Sequence, residues 1–238
     1  MLSEREALAT LAGEITGCRA CPRLVEWRER VARDKRASFA DWEYWGRPIP
    51  GFGDSAARVL VLGLAPAAHG ANRTGRVFTG DRSGDFLFAA LHRAGLANQP
   101  TSASVDDGLE LRDCFITVAV RCAPPANAPL PVERDACASF LTREVALLSN
   151  LRVVVALGQF AWDAAGRQWG VRPKPRFGHG ATAELPGELT LIGSFHPSQQ
   201  NTFTGKLTAA MLDDVLAAAR AVASESIVGT RVAPEHPR

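Results

Sequence analysis

Residues 58–84 read RVLVLGLAPAAHGANRTGRVFTGDRSG, and this stretch decides the fold. It begins with an apolar run that is typical of a buried strand. A long glycine-rich loop follows, and a helix begins between Asp81 and Gly84. Amide groups in such a loop and at a helix start point outward without partners, so they can bind a polar ligand. The stretch therefore predicts a strand, a binding loop and a helix N-terminus around one ligand site.

Three more apolar runs, at 114–120, 152–157 and 189–195, match strand 59–64 in their Val, Ile and Leu content. Such runs are typical of parallel strands that are buried on both faces. Helical patterns lie around and between them, at about 3–16, 22–35, 83–95, 132–149, 158–168 and 204–223. The alternation predicts an α/β fold, namely a three-layer α/β/α domain with a central, mainly parallel four-stranded sheet. We expect a single domain over residues 1–223 and a disordered tail over residues 224–238.

The bulk properties exclude several classes of protein. The 238-residue chain has a net charge of +2, which argues neither for nor against nucleic acid as a partner. No apolar run is long enough to span a membrane, and the charged first residues do not resemble a signal peptide. These features predict a cytoplasmic protein. Five cysteines in such a protein favour metal or redox roles over disulfides.

Polar loops follow three of the predicted strands, at 65–82, 121–131 and 195–203. Ligands of parallel α/β sheets bind beyond the carboxyl ends of the strands, so we expect these loops to meet at one cleft. Asp81 in the first loop is either a helix N-cap or a carboxylate that activates water. His196 in the third loop either caps its strand or donates a ring N–H to a developing anion, since its charge changes near physiological pH.

Four of the cysteines come in two pairs, Cys18-x-x-Cys21 near the start, and Cys122 and Cys137 on either side of a proline-rich loop. If the pairs meet at one edge of the fold, their four thiolates suit zinc or an iron–sulfur cluster equally well by spacing. Four unconnected thiols are the alternative. Cys114 lies inside a predicted strand and is interpreted as core.

A basic stretch, residues 164–183, contains arginine and lysine but no acidic residue. Trp169, Phe177 and His179 are interleaved with these cations. The pattern indicates contact with a nucleic-acid backbone, with a solvated basic loop as the alternative. The tryptophan-rich residues 37–53 are interpreted instead as a loop packed on the core.

Several of these stretches together resemble the uracil-DNA glycosylase superfamily, and most closely its fifth family, UDGb. The first motif of that family resembles GLAPAAHGANRTGRVFTGD at residues 63–81. The middle motif resembles RCAPPAN at 121–127 with Cys137, and the last motif resembles HPSQQN at 196–201. The likeness runs from about Cys18 to the last helix, and the long first motif is highly specific.

The resemblance implies a DNA-repair enzyme that turns a nucleotide out of DNA, hydrolyses the N-glycosidic bond of uracil and leaves an abasic site. It also implies action on other deaminated or damaged bases, such as hypoxanthine and ethenocytosine. The sister family, UDGa, has an acidic residue soon after the first strand and an asparagine in the second. In this sequence the corresponding places look like Leu64 and Val118, which are both apolar. The lack of the two polar residues favours UDGb and a broad range of bases.

The resemblance further implies a role for individual residues. A [4Fe–4S] cluster with a structural role would be held by Cys18, Cys21, Cys122 and Cys137. The catalytic groups would be Asp81, which holds the attacking water, His196, which stabilises the leaving base, and Asn127. Base-binding residues would be Leu64, Ala65, Ala68, Phe78 and His196. DNA contacts are expected from Arg73, Arg172, Lys174, Arg176, Gln199, Gln200 and Asn201.

The expected partner is DNA that contains uracil or other deaminated bases, bound by a monomer with no membrane association. One alternative is a non-catalytic iron–sulfur protein that binds DNA or senses redox state. Another is a nucleotide-binding α/β enzyme that uses the glycine-rich loop for phosphates. The loop lacks both a Walker lysine and a G-x-G-x-x-G pattern, which argues against that second alternative.

Overall fold

The computed structural model describes residues 3–225, and one six-stranded sheet forms the centre of this region. The strands are β1 (Phe52–Gly53), β2 (Val59–Gly63), β3 (Cys114–Val118), β4 (Val153–Leu157), β5 (Thr182–Leu185) and β6 (Leu189–Ser194). Their order across the sheet is β1-β3-β2-β4-β6-β5. The four central strands are parallel, and β1 and β5 pair antiparallel at the two edges. The predicted α/β fold is confirmed.

The sheet has two more strands than predicted, because the edge strands lack the apolar pattern of the central ones. The first of them, β1, has only two residues. The other, β5, buries only the side chain of Leu185. Both form by pairing with the open edges of β3 and β6, whose backbone groups would otherwise lack partners.

Helices cover both faces of the sheet. They are α1 (Glu4–Thr16), α2 (Pro22–Asp34), α3 (Ala71–Thr74), α4 (Arg82–Arg93), α5 (Pro131–Ala146), α6 (Gln159–Gln168), α7 (Gln199–Phe203) and α8 (Ala209–Ser224). Ser3 and Glu6 form a capping box at the start of α1. The short helices α3 and α7 were not predicted, and α8 begins later than expected because Thr208 caps it.

The core has two halves, one on each face of the sheet. Alternate side chains of β2 point to opposite faces, so Val59 and Val61 pack in one half and Leu60 and Leu62 in the other. Apolar side chains of α4 and α8 complete the first half, and those of α5 and α6 complete the second. This layering leaves the carboxyl ends of the central strands free to carry loops.

None of the helices within residues 3–225 combines the length and apolar character that a bilayer crossing needs. Most of the predicted disordered tail, residues 226–238, lies outside the described residues.

Candidate active site

A cleft of about 940 Å³ opens at the carboxyl ends of the central strands. Its lining comes from residues 64–85, from Asn127, from residues 196–200, and from Arg36 and Phe39 in the loop after α2. The three polar loops that follow β2, β3 and β6 therefore converge, as predicted. A volume of this size lies within the range of pockets that enclose a small ligand.

Asp81 stands in the cleft at the N-terminus of α4. Its Oδ1 accepts a hydrogen bond of 2.9 Å from the backbone N–H of Gly84, so the residue is an N-cap. Burial raises the pKa of its carboxyl group, whereas hydrogen bonds from Gly84 and Ser83 act in the opposite direction. Its Oδ2 lies against the α-carbon of Gly70, where an added Cβ would overlap it. The cap and the cleft-lining carboxylate are thus the same residue.

Phe78 forms an aromatic platform in the cleft. Its backbone has φ of +52°, a left-handed conformation that is strained for a bulky residue. Its ring packs against Gly63, where a Cβ would lie 2.9 Å from the ring carbon Cζ. The ring is tilted by 37° to the imidazole of His196, with 6.0 Å between the ring centroids. Two flat side chains from loops distant in sequence therefore face one hollow.

His196 lies half-buried at the end of β6, and burial lowers the pKa of its imidazole to about 4. At neutral pH the ring is therefore uncharged and has one N–H to donate. The sequence suggested that its charge changes near physiological pH, and this expectation is wrong because burial moves the pKa well below that range. The side-chain amide of Asn201 donates to the His196 carbonyl at 2.8 Å, and Ser198 caps α7. Asn201 thus positions the histidine loop.

The remaining residues predicted to bind the base or DNA divide by location. Leu64, Ala65, Ala68, Asn127, Gln199 and Gln200 all line the cleft. Asn127 is exposed in a 3-10 turn and adopts a left-handed backbone conformation, with φ of +54°. Its side chain therefore lies at the exposed rim of the cleft.

Arg73 does not lie at the surface that the DNA-contact prediction requires. Its side chain is only 4% exposed, and its guanidinium donates to the carbonyl oxygens of His69 at 2.9 Å and Gly80 at 2.7 Å. It also stacks on Phe39 and Trp42. The prediction is corrected: Arg73 braces the two ends of the loop before Asp81, because its position inside that loop buries it.

Arg172, Lys174 and Arg176 lie outside the cleft, on the segment between α6 and β5. Lys174 pairs with Asp163 at 2.8 Å. The segment is anchored by Trp162, whose indole N–H donates to the carbonyl of Pro175 at 2.9 Å. DNA contact by these three cations stays a prediction.

Cys18, Cys21, Cys122 and Cys137 all line one small pocket. All four are free thiols. Across residues 3–225, no three His, Cys, Asp or Glu side chains are arranged to hold a single metal ion. A zinc ion needs each sulfur about 2.3 Å from one centre. Four cysteines around one pocket are the ligand set that structural zinc and iron–sulfur clusters share.

A buried cation completes this cysteine pocket. Arg28 is 2% exposed and donates from Nη1 to the Sγ of Cys122 at 2.9 Å, and its Nε has no partner within residues 3–225. A buried guanidinium requires a nearby negative charge. The Glu29 carboxylate lies 4.0 Å from Nη2 of Arg28, and thiolates around one group would add negative charge at Cys122, so the residues fit an anionic, cysteine-ligated group.

Sequence reasoning missed the wall of the cleft that Arg36, Phe39 and Tyr44 build. The Tyr44 hydroxyl lies 3.1 Å from Nδ1 of His69, which lines the cleft. The tryptophan-rich segment was expected only to pack on the core. Its density of aromatic residues beside Arg36 was the available signal.

Comparison with known proteins identifies the relatives of this chain. A family model described as the uracil DNA glycosylase superfamily matches residues 50–220. A type-5 uracil-DNA glycosylase of Mycobacterium bovis is 57% identical over 220 residues, covering 91% of this chain and 82% of that protein. Type-5 uracil-DNA glycosylases of Thermus thermophilus and Pyrobaculum aerophilum are 52% and 47% identical, covering 88% and 87% of this chain and 95% and 89% of those proteins.

Proposed function

This chain belongs to the uracil DNA glycosylase superfamily, and we propose that it hydrolyses the N-glycosidic bond of uracil in DNA and leaves an abasic site. One observation carries the proposal: Asp81, Phe78 and His196 line the same cleft although they come from two distant loops. The cleft thus holds a carboxylate for water, a flat platform for a base and a neutral N–H donor.

The substrate nucleotide is turned out of the DNA, because the glycosidic bond of a stacked base cannot reach these groups. The extruded base stacks on Phe78, a contact worth about 1–3 kcal/mol in proteins that bind single strands. Gly63 supports this role, since its missing side chain lets the Phe78 ring approach β2 closely. This contact binds a planar base by its face and does not discriminate between base edges.

Cleavage of the bond leaves negative charge on the departing base. The neutral imidazole of His196 donates its N–H to that charge. In the part of the chain that the structure describes, the amides of Ala65, Ala67 and Ala68 make no hydrogen bond to protein, and they line the same cleft. Loss of one donor of this kind costs about 2.7–4 kcal/mol of transition-state stabilisation.

Asp81 acts on the sugar side of the bond. In its ionised form the carboxylate orients the attacking water, accepts its proton and favours the cationic character that develops on the sugar. The N-cap hydrogen bond from Gly84 uses Oδ1, and Oδ2 lies against Gly70 in the lining of the same cleft. Asn127 at the rim helps to place the water or the adjoining backbone.

Helix α7 fills the gap that the extruded base leaves in the stack. Gln199 and Gln200 line the cleft beside His196, and Phe203 at the end of the helix is 70% exposed. Arg82 lies over the Phe203 ring, 5.4 Å from its centroid. An exposed ring and a cation at the mouth of the cleft suit contact with bases and phosphates. Arg172, Lys174 and Arg176 extend the contact to more of the DNA backbone.

The proposed substrates include hypoxanthine and ethenocytosine besides uracil. Leu64 lines the cleft with an apolar side chain, and Val118 is fully buried behind Gly63. No polar side chain therefore stands at these two places to read the edge of uracil. A pocket that relies on stacking and backbone amides accepts planar bases whose edges carry different hydrogen-bonding groups.

A [4Fe–4S] cluster is proposed as the group in the cysteine pocket. Cys18, Cys21, Cys122 and Cys137 would hold it, with Arg28 balancing its charge. When bound, it supplies a structural link and contributes directly to folding. Cys21 caps α2, so this link ties the N-terminal helices to the loop after β3.

The proposal is tested with oligonucleotides that carry uracil, hypoxanthine or ethenocytosine, followed by alkaline cleavage at abasic sites. We expect strand breaks at uracil with the wild-type protein and at least a hundredfold fewer with Asp81→Asn. Intact uracil strands after prolonged incubation would refute the proposed activity and favour a DNA-binding protein. Breaks at uracil alone would restrict the substrate range.

A further inference from the structure

The segment of residues 36–46, here called the flap, is built into the cleft rather than lying loosely over it. The backbone N–H of Trp45 donates to the carbonyl of Arg73 at 3.0 Å. The Arg73 guanidinium carbon lies 3.9 Å from the ring centroid of Phe39 and 4.0 Å from that of Trp42. Since Arg73 also bonds to the loop that carries His69, flap and loop form one wall. The proposed reaction assigns no role to the residues of this wall.

Tyr44 of the flap holds the His69 ring at its Nδ1 atom. The backbone N–H of Arg36 donates to the Tyr44 hydroxyl oxygen at 3.4 Å, and that oxygen lies 3.1 Å from His69 Nδ1. Because a backbone amide only donates, the hydroxyl proton is available for Nδ1. Nδ1 then accepts and Nε2 carries the ring proton. Within the described part of the chain, Nε2 makes no hydrogen bond, so its N–H is available to a ligand in the cleft.

Arg36 places a cation beside this donor. Its side chain is exposed, lines the cleft and makes no ion pair within residues 3–225. Burial, together with the charges of Arg36 and Arg73, lowers the pKa of His69. His69 is therefore a neutral donor and Arg36 a full positive charge, a combination that complements a phosphate group.

The position of this pair points to a particular part of the substrate. His69 precedes Gly70, whose α-carbon lies against the carboxylate of Asp81. His69 therefore lies beside Asp81, and Arg36 lines the same cleft. A base on the platform of Phe78 directs its sugar toward Asp81 and its backbone toward the flap.

Resting on the proposed function, we propose that Arg36 and His69 form a subsite for one backbone phosphate next to the extruded nucleotide. Tyr44 is a positioning residue in this subsite, because it acts through His69. The flap then selects for DNA backbone as well as enclosing the cleft.

The first test measures binding to an oligonucleotide that carries a tetrahydrofuran abasic analogue at several salt concentrations. Loss of one phosphate contact lowers the slope of log Kd against log salt by about 0.9. We expect this change in Arg36→Ala but not in Arg5→Ala, an exposed arginine on α1 outside the cleft. His69→Ala is expected to weaken binding about tenfold with no change of slope, because a neutral group releases no counterion.

A second test identifies the phosphate by replacing the phosphates around uracil, one at a time, with uncharged methylphosphonates. In single-turnover cleavage, one position should slow the wild-type protein and have no further effect on Arg36→Ala. Additive losses at every position would overturn the subsite, as would an unchanged salt slope in Arg36→Ala.

The two tests separate this inference from the proposed function. Suppose that the wild-type protein releases uracil and that Arg36→Ala keeps the wild-type slope of log Kd against log salt. This result would refute the subsite and support the glycosylase activity. If the wild-type protein releases no base and the slope falls on substitution of Arg36, the glycosylase activity is refuted and the phosphate subsite is supported. A wild-type protein that binds no DNA would overturn the subsite.

Discussion

The ring of Phe78 lies so close to Gly63 that a methyl group at position 63 would come within 2.9 Å of Cζ. Phe78 already has a strained backbone with φ of +52°, and Gly84 packs closely on its carbonyl oxygen. The platform of the cleft is therefore held by backbone contacts on both sides and has little freedom to move. Positions 63 and 84 are glycine because a Cβ at either place would overlap Phe78.

Gly63→Ala should displace this platform. We expect a loss of about 1–3 kcal/mol in the free energy of unfolding from overpacking, together with a raised KM for uracil DNA. Gly166→Ala is the matched control, because no atom lies within 4 Å of an added Cβ there and the residue is inside α6. It should stabilise the fold by about 0.5–1 kcal/mol with normal kinetics. Equal behaviour of the two variants in denaturant unfolding would contradict the role of Gly63.

Asp81→Asn should separate activity from stability. Asparagine caps helices as well as aspartate does, so α4 keeps its N-terminus. Because burial raises the pKa of the Asp81 carboxyl group, its ionised form is disfavoured in the folded state at neutral pH. The variant should unfold at a higher denaturant midpoint at pH 7 while cleavage falls about 10²- to 10⁴-fold. A lower midpoint would show that the carboxylate stabilises the fold.

His196 should make stability depend on pH in a defined window. Its pKa is lowered from 6.5 to about 4 in the folded protein, so between those values the unfolded chain binds a proton that the folded one does not. Stability is therefore lost as pH falls from 6.5, on the order of 2 kcal/mol by about pH 5. His196→Asn should remove that part of the loss, measured by denaturant unfolding at pH 7 and pH 5. An NMR titration of the His196 ring with a midpoint near 6.5 would refute the argument.

Removal of one cysteine should empty the cysteine pocket. Cys122→Ala is expected to lose iron, acid-labile sulfide and visible absorbance, and to unfold more easily, because the group contributes directly to folding. Cys114→Ala is the control, since Cys114 is buried in β3 and lies outside the pocket. It should keep the wild-type ratio of iron to sulfide. Zinc in the wild-type protein, or iron retained by Cys122→Ala, would contradict the assignment.

Removing one partner of the buried ion pair of Arg121 and Glu144 should destabilise the fold more than removing one partner of a surface pair. The side chains of Arg121 and Glu144 are 1% and 4% exposed and lie 2.7 Å apart. Glu144→Gln leaves the arginine buried without its counter-charge, at a cost of about 3–5 kcal/mol in the free energy of unfolding. Glu14→Gln breaks the exposed pair with Arg143 and should cost at most about 1 kcal/mol. Similar losses in the two variants would contradict the difference in burial.

Much of the fold follows from patterns that are local in the sequence. The apolar runs of β2, β3, β4 and β6 identify themselves because strands buried on both faces need continuous Val, Ile and Leu. The edge strands could not be found in this way. Their formation depends on free edges of β3 and β6, which exist only once the sheet has assembled.

The candidate site divides in the same manner. Motif position was enough to name Asp81, Phe78 and His196, because the glycine-rich loop and the strand end are continuous stretches. The burial of Arg73 and the position of His69 were not visible, since both depend on flap residues far away in the chain. Charge and residue type alone suggested that Arg73 faces DNA.

By itself, the sequence determined the α/β class, the order of the central strands and main helices along the chain, and the polar loops that contain the functional residues. Each of these features depends on consecutive residues. Only the tertiary structure decided which groups share an environment. It brought Arg28 to Cys122, 94 residues away, and it buried His196 enough to lower the pKa of the ring, so that the ring stays neutral at neutral pH. Burial and pairing depend on the whole packed chain, and they set the pKa values and contacts on which the site depends.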